Sequence, residues 1–314
     1  MRLQTHVLGM DFQNPVLLAA GTCGFGMELE DVLDLEALGG FVTKSVTLEP
    51  RRGNPAPRVA EFPAGMLNSI GLANPGLAAA RSEKLPWIAR NVRNARVFVS
   101  IAGHTVDEYL RLVEGLDGVD GFVGFEVNLS CPNDARRGGA PFALDPDAVS
   151  DVLSGCRART QRPLVAKLAP NDPNLAGTVR RAEAAGADAL TLVNTLPGLL
   201  LHPSTGSPEL GAGAGGMSGP GLRPAGLRAV REARTATALP IFGVGGVLAA
   251  PDAVAYARAG ADLVQMGTAT FAAARAAPAL IRGLERWGRR HGVTSWRDEL
   301  VRAHTLEATR GTTS

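Results

Sequence analysis

Residues 240–268 read PIFGVGGVLAAPDAVAYARAGADLVQMGT and contain two short apolar runs separated by one amphipathic segment. The runs Ile241–Val244 and Leu263–Met266 are each followed by glycine, and residues 251–259 have the apolar spacing of a helix. A strand, a helix and a second strand in this order form the βαβ unit of a parallel sheet. This stretch therefore predicts an α/β fold.

The same alternation extends along the whole chain. Apolar runs that predict strands occur at 16–20, 41–44, 97–101, 122–129, 164–168, 189–193, 241–244 and 263–266. Helical patterns occur at 29–38, 106–115, 146–157, 175–185, 224–236, 251–259 and 273–289. Eight strands alternating with helices predict a (β/α)8 TIM barrel that forms one domain over 1–314, with the last few residues frayed. An open doubly wound sheet is the alternative, but residues 21–26 lack the glycine order of the dinucleotide fingerprint.

Two long inserts interrupt this alternation. The first lies between Lys44 and Val97 and is rich in Pro and Gly, and the second spans residues 195–221 and contains LGAGAGGMSGPG. Each follows a predicted strand, so we expect both inserts at the C-terminal face of the barrel, where active sites of this fold lie. Loops of such length in a compact domain are usually functional.

Composition and charge exclude several classes of protein. Hydrophobic residues at 45% and charged residues at 20% are typical of a globular protein, and Lys+Arg 32 against Asp+Glu 30 is too small an excess for a nucleic-acid-binding surface. Three cysteines without a CxxC motif indicate a reducing compartment. The sequence shows no signal-peptide pattern and no apolar run of membrane-spanning length. We therefore expect a cytoplasmic protein without nucleic-acid or membrane partners.

Polar side chains end most of the predicted strands, at the face where the active site of a barrel lies. They are Lys44, Ser100, Asn128, Cys131, Lys167, Asn194 and Thr195. A lysine at the end of an apolar strand needs solvent or an anion, because burial of an unpaired ammonium group is costly. Two such residues, Lys44 and Lys167, predict an anionic ligand in the barrel mouth.

Glycines after the last two predicted strands indicate a phosphate site. Gly245 and Gly246 follow the seventh strand, and Gly267 and Thr268 follow the eighth. At these two places barrels bind phosphate through backbone N–H groups, which glycine allows to approach the oxygens closely. The phosphate could belong to a substrate or to a cofactor such as FMN, and the residues alone do not distinguish the two.

Cys131 lies in the motif NLSCPN (128–133), directly after a predicted strand. A lone cysteine is more often a small buried side chain than a catalytic one, but a thiol at this place is accessible to a ligand. A free thiol, with a pKa of about 8.5, suits a base here better than a metal ligand, because no His or second Cys lies nearby in sequence. Cys156 is expected to pack inside a helix, and Cys23 could line the pocket but has no assignable role.

These motifs together resemble those of the class 1 dihydroorotate dehydrogenases, most closely the class 1B catalytic subunit. The matching segments are 14–26, 43–59, 65–76, 126–133, 166–171, 190–198, 215–220, 240–246 and 266–271. The resemblance implies an FMN-containing barrel that oxidises dihydroorotate to orotate in pyrimidine biosynthesis. It also implies that Cys131 takes the C5 proton while hydride passes from C6 to flavin N5.

The same resemblance implies roles for the residues at the strand ends. The implied substrate-binding residues are Lys44, Asn68, Asn128, Asn194 and Thr195. The implied FMN-binding residues are Ala20, Gly21, Lys44, Ser45, Ser100, Asn128, Lys167, Val193, Gly219, Gly245, Gly246, Gly267 and Thr268. Lys167 would lie near flavin N1 and O2. Ser100 and Ala20 depart from the family, which usually has Asn and Ser there, so we expect two FMN contacts to be lost or replaced.

The resemblance further implies partners and leaves some alternatives open. Class 1B catalytic subunits pair with a subunit that carries FAD and an iron–sulfur cluster and reduces NAD, so a homodimer or a heterotetramer with that subunit is implied. A class 1A enzyme that reduces fumarate is the nearest variant. The remaining alternatives are an FMN barrel acting on another reduced pyrimidine or an enone, a flavin-free phosphate-sugar lyase or isomerase, and a non-catalytic flavin-binding scaffold.

Overall fold

The computed structural model describes residues 1–130 and 141–300. Their strands, in chain order, are β1 (Thr5–Val7), β2 (Met10–Phe12), β3 (Val16–Leu18), β4 (Gly40–Val42), β5 (Val59–Phe62), β6 (Gly65–Asn68), β7 (Arg96–Ile101), β8 (Gly124–Asn128), β9 (Leu164–Lys167), β10 (Ala189–Leu192), β11 (Leu196–Gly198), β12 (Gly215–Ser218), β13 (Ile241–Val244) and β14 (Leu263–Met266). Their α-helices are α1 (Gly76–Ala79), α2 (Leu85–Asn91), α3 (Val106–Leu116), α4 (Pro146–Arg157), α5 (Leu175–Ala184), α6 (Arg223–Arg234), α7 (Ala250–Ala259), α8 (Ala269–Ala272) and α9 (Ala276–His291).

Eight parallel strands close into a barrel in the order β3, β4, β7, β8, β9, β10, β13 and β14. The last strand pairs with the first, with Val264 opposite Val16, which closes the ring. Each of these strands falls at one of the eight positions that the sequence predicts, so the predicted (β/α)8 barrel is confirmed. None of the helices in the described residues is both long and apolar enough to cross a membrane.

The lower half of the barrel interior is apolar. Inward side chains near the N-terminal ends of the strands pack into one buried cluster, which we call the apolar floor. It consists of Leu17, Val42, Phe98, Val165, Ala189, Phe242 and Leu263 together with Val7 and Phe12. The last two come from the antiparallel hairpin β1–β2, which therefore closes the N-terminal end of the barrel.

The next inward positions are polar and buried on five of the eight barrel strands, β7, β8, β9, β10 and β14. Side chains in a strand alternate between its two faces, so the residues two positions after the apolar floor also point inward. On the five strands these residues are Ser100, Lys167, Thr191 and Gln265, together with Glu126, which comes two positions after Gly124, and all five are buried. We call them the polar layer. It lies between the apolar floor and the C-terminal ends of the strands.

The two inserts combine into one structural unit, which we call the insert sheet. The first insert supplies β5 and β6 and the second supplies β11 and β12, and they form an antiparallel sheet in the order β11, β12, β6, β5. In its centre Asn68 is paired with Gly216. The inserts follow β4 and β10, so the sheet starts from the C-terminal ends of barrel strands, as the sequence predicts. The pairing between the inserts was not predicted from the sequence.

The helix predicted at residues 29–38 is wrong. This segment contains two short 3-10 turns, Met27–Leu29 and Leu35–Ala37, instead of an α-helix. The Asp34 side chain accepts a hydrogen bond from the backbone N–H of Glu36 at 3.0 Å. Such local bonds from an Asp side chain compete with the hydrogen bonds of a helix.

A helical segment inside the first insert was missed. It consists of α1, a π-helical turn at Ala80–Lys84, and α2. At the start of α1, Asn74 Oδ1 accepts a hydrogen bond from the N–H of Gly76. The wide π-turn and the proline in the first turn of α2 interrupt the regular 3.6-residue spacing. For this reason the apolar pattern did not indicate a helix.

We predict that Phe98→Ala lowers the free energy of unfolding by about 3–5 kcal/mol, because it leaves a cavity in the apolar floor. The Phe98 ring is fully buried and meets Phe242 edge to face, with ring centroids 5.6 Å apart. Denaturant unfolding measures the loss. Phe271→Ala is the control: this ring is 58% exposed, and its removal should change stability by no more than about 0.5 kcal/mol. Equal losses in both variants would contradict the assignment of the floor.

Candidate functional site

A buried ion pair stands at the centre of the polar layer. Glu126 Oε1 lies 3.2 Å from Lys167 Nζ, and both side chains are less than 10% exposed, at 1% and 7%. The second oxygen, Oε2, accepts hydrogen bonds from Thr191 Oγ1 at 2.9 Å and from Gln265 Nε2 at 3.1 Å. Each buried charge thus has a partner, which a pair in this environment requires.

This ion pair corrects one expectation from the sequence. Lys167 does not need a ligand as its anion, because Glu126 already supplies a carboxylate. Glu126 was not predicted from the sequence, because it lies inside an apolar run, two residues before Asn128, and not at the end of a strand. The signal that could have revealed it is the inward direction shared by alternate residues of a strand.

A chain of uncharged side chains leads from the barrel wall toward the mouth. The hydroxyls of Ser45 and Ser100 lie 2.8 Å apart, and Asn128 Nδ2 donates to Ser45 Oγ at 3.4 Å. Asn194 Nδ2 in turn donates to Asn128 Oδ1 at 3.2 Å. We call these four residues the amide chain. The two serines are buried and the two asparagines are half-buried, so the amides are the members nearest to solvent.

The insert sheet brings two further predicted residues to the same place. Asn68 Nδ2 donates to the carbonyl of Gly216 at 3.1 Å, and the N–H of Thr195 donates to Asn194 Oδ1 at 2.8 Å. A Cβ atom at Gly216 would lie 2.1 Å from Thr195 Oγ1, so glycine is required for this close approach. Asn68, Thr195 and the amide chain are therefore joined across the barrel and the insert sheet.

Three glycine-rich turns meet near the ends of β12, β13 and β14. Gly219, Gly245 and Gly246 have φ values of +90°, +124° and +69°, and a Cβ atom at Gly246 would lie 2.9 Å from the carbonyl oxygen of Gly219. Thr268 Oγ1 donates to Ser218 Oγ at 2.8 Å, which joins the third turn to the first. We call this group the glycine corner. It consists of Ser218, Gly219, Gly245, Gly246, Gly267 and Thr268.

The glycine corner fits a phosphate group. Within residues 1–130 and 141–300, no backbone carbonyl accepts a hydrogen bond from the N–H group of Gly246 or Thr268. Two N–H donors beside two hydroxyls match the oxygens of a phosphate. Ser218 was not among the residues predicted from the sequence. It lies in the motif GGMSGP (215–220), in which the family resemblance implies a role for Gly219 only.

The first turn of the barrel brings Lys44 and Gly21 together. A Cβ atom at Gly21 would lie 3.7 Å from Lys44 Nζ, and Lys44 is half-buried at the end of β4. Ala20 precedes Gly21 and offers only its backbone for polar contacts.

Val193 has a 2% exposed side chain, and its N–H donates to the carbonyl of Val244 at 3.1 Å.

Two of the three cysteines, Cys23 and Cys156, lie in the described part of the chain. Cys131, the residue predicted to be a base, lies outside the described residues. Cys23 and Cys156 are buried, and burial raises the pKa of each thiol to about 12. Cys23 packs in the hydrophobic core with its Sγ 3.5 Å from the carbonyl of Val42, so it does not line the pocket. In the described part of the chain, no three His, Cys, Asp or Glu side chains are arranged to bind a metal ion.

The chain is similar to known proteins over most of its length. The family model described as "Dihydroorotate dehydrogenase" matches residues 2–287. A protein of Pelobacter propionicus, named dihydroorotate dehydrogenase B (NAD(+)), catalytic subunit, is 42% identical over 291 residues, which cover 93% of this chain and 95% of the relative. A protein with the same name from Desulforudis audaxviator is 44% identical over 306 residues, 97% of this chain and 99% of the relative. A protein of Solibacter usitatus, provisionally named dihydroorotate dehydrogenase A (fumarate), is 43% identical over 292 residues, 93% of this chain and 95% of the relative.

We predict that Cys23 and Cys156 resist alkylation by iodoacetamide in the folded protein at pH 8. The thiolate is the reactive form, and with a pKa of about 12 only roughly one thiol in 10,000 is ionised at that pH. Mass spectrometry of peptides should find both cysteines unmodified before denaturation and modified after it. Rapid labelling of either residue in the folded chain would contradict its burial.

Proposed function

The chain belongs to the dihydroorotate dehydrogenase family, and on this premise we propose that it oxidises dihydroorotate to orotate with FMN as the bound electron acceptor. One observation carries the proposal: the amide chain, the insert sheet and the polar layer meet at one end of the barrel, through Ser100, which belongs to both the amide chain and the polar layer, and through Thr195, which lies against Gly216 of the insert sheet. Eleven of the sixteen described residues that the family resemblance assigns to substrate or cofactor belong to these groups or to the glycine corner. The proposed place of action is the cytoplasm.

The described residues fit FMN in two parts. The glycine corner would hold the phosphate through the N–H groups of Gly246 and Thr268. The flavin ring would lie over the polar layer, where Lys167 would offset the negative charge of the reduced ring. Ser45, Ser100 and the backbone around Gly21 would border the ring. FMN, when bound, supplies the acceptor for the hydride that leaves C6 of the substrate.

The same arrangement suits a small, flat anion as substrate. Amide side chains carry both donors and acceptors, so Asn68, Asn128 and Asn194 can bind the edge of a pyrimidine ring. Thr195 adds a hydroxyl, and Lys44 supplies a positive charge for the carboxylate. Asn128 is held by hydrogen bonds on two sides, which fixes its orientation before the substrate binds.

Cys131 is the proposed base that takes the proton from C5. Its motif NLSCPN begins at Asn128, the half-buried last residue of β8, so Cys131 comes three positions after the end of this strand. A base that removes a carbon-bound proton works best when its pKa is not far from the pH of the reaction, and a thiol meets this condition better than a serine hydroxyl.

We propose the B-type assignment for the electron acceptor. The relatives from Pelobacter propionicus and Desulforudis audaxviator are named NAD(+)-linked catalytic subunits, a name that implies a separate electron-transfer subunit, here proposed to carry FAD and an iron–sulfur cluster. The A-type relative has a similar identity, so the acceptor needs its own test. Reduction of fumarate by the isolated, dihydroorotate-reduced chain would contradict the B-type assignment. The proposed assembly is a homodimer, alone or within a heterotetramer with the partner subunit.

We predict that anaerobic dihydroorotate bleaches the flavin absorbance of the FMN-loaded chain, and that Cys131→Ala slows this reduction by a factor of about 10²–10⁴, the usual contribution of a general base. The rate in the parent should rise toward alkaline pH, because the thiolate is the active form. Stopped-flow absorbance measures both effects, and the FMN content of the variant should equal that of the parent. Bleaching at the parent rate would contradict the role of Cys131. Bound FMN that dihydroorotate does not bleach would indicate another substrate.

We predict that Gly246→Ala weakens FMN binding by a factor of about ten or more, or about 1.4 kcal/mol. The new Cβ atom would lie 2.8 Å from Arg223 Cβ and 2.9 Å from the carbonyl oxygen of Gly219, which forces the glycine corner to move. Quenching of FMN fluorescence on binding gives the dissociation constant. Gly206→Ala is the matched control, because Gly206 has nearly the same φ, +70°, but no atom within 4 Å of the added Cβ. If both variants lost affinity equally, the glycine corner would not be the phosphate site.

A further inference from the structure

Glu126 is a buried carboxylate to which the proposed reaction assigns no role. Its carboxylate is 1% exposed and lies inside the barrel, one inward position below Asn128 on β8. Lys167 lies on the neighbouring strand β9, where it is paired in register with Asn128 of β8. Lys167 therefore starts one inward position closer to the C-terminal ends of the strands than Glu126 does, which places its ammonium group on the side of the proposed ligand site.

The surroundings of Glu126 fix its carboxylate in one orientation. Lys167 contacts one oxygen, and Thr191 and Gln265 donate to the other. Gln265 Nε2 also lies 3.4 Å from Thr191 Oγ1, so the two donors are held against each other. A carboxylate with three donors from three different strands cannot rotate without breaking several bonds.

The pair has opposite effects on any charge in the barrel mouth. The lysine favours negative charge on a group above it, and the carboxylate beneath disfavours that charge. Both effects are strong because the pair is buried and little screened by water. The net effect is the difference between a nearer positive charge and a farther negative one.

We propose that Glu126 is a positioning residue that sets how strongly Lys167 stabilises the reduced flavin. It holds the ammonium group at a fixed place through the contact at 3.2 Å, and its negative charge keeps the flavin reduction potential below the value that an unopposed lysine would give. This inference rests on the proposed function, since it requires FMN above the polar layer.

The substitution Glu126→Gln removes the charge and preserves the shape of the side chain. The added amide can also be accommodated by hydrogen bonding. Gln265 Oε1 is buried without a hydrogen-bond partner within the described residues, and rotation of the Gln265 amide would let this oxygen accept from the new amide. The variant thus tests charge with little change in packing.

The test uses sulfite as a probe, because sulfite binds oxidised flavin reversibly and places negative charge on the ring. In the FMN-loaded full chain, Glu126→Gln should bind sulfite about tenfold more tightly. Its two-electron midpoint potential should rise by about 30 mV, the equivalent of a tenfold change. Glu299→Gln is the control, because Glu299 is also 1% exposed and paired with an arginine, Arg258, but lies beyond α9. The control should leave both values unchanged.

A double-mutant cycle separates charge from structural support. The expected order of midpoint potentials, from highest to lowest, is Glu126→Gln, the parent, Glu126→Gln/Lys167→Gln and Lys167→Gln. If Glu126→Gln does not fold, the last two variants still test the carboxylate, because they differ only in its charge. A lower or unchanged potential on removal of that charge, in either background, would overturn the inference.

The outcomes also separate this inference from the function on which it rests. If dihydroorotate bleaches the flavin but Glu126→Gln does not change the sulfite affinity, the proposed role of Glu126 is contradicted and the proposed function is not. A chain that takes up no FMN would contradict both. A positive shift in Glu126→Gln and none in Glu299→Gln supports the inference whichever substrate reduces the flavin.

Discussion

On several barrel strands the inward side chains change from apolar to polar within two residues, as from Phe98 to Ser100 and from Val165 to Lys167, and the candidate site depends on this change. Below the boundary, Phe98, Phe242 and their neighbours fill the interior and exclude water. Directly above it, the Glu126–Lys167 pair would be costly if either partner lacked the other. The polar layer is therefore satisfied from within the protein, which gives the mouth of the barrel a rigid and charged base.

The site above this base is assembled from parts that lie far apart in sequence. Asn68 comes from the first insert and Gly216 from the second, and Gly216 lies closely against Thr195, the residue that follows Asn194 of the amide chain. Antiparallel pairing between two inserts fixes their register through backbone hydrogen bonds. The family resemblance assigns ligand contacts on both inserts, and their pairing explains how one small molecule can reach all of them.

The sequence allowed the barrel to be predicted because strand and helix alternation is a local signal. All eight barrel strands and the helices α3 to α7 and α9 fall at the predicted positions. The insert sheet was missed because its strands are three or four residues long, half-exposed and paired over large separations. Glu126 was missed because its importance lies in its inward direction rather than at a strand end. The role of Cys131 stays a prediction, since that residue lies outside the described part of the chain.

The hairpin β1–β2 determines from which side a ligand can reach the site. Val7 and Phe12 seal the N-terminal end of the barrel, and the aromatic rings above them leave no passage through the interior. A small molecule that reacts above the polar layer must enter and depart on the same side. Substrate and product therefore reach and leave the site from the C-terminal side of the barrel, and a second reactant that binds in the same space can enter only after the first has left.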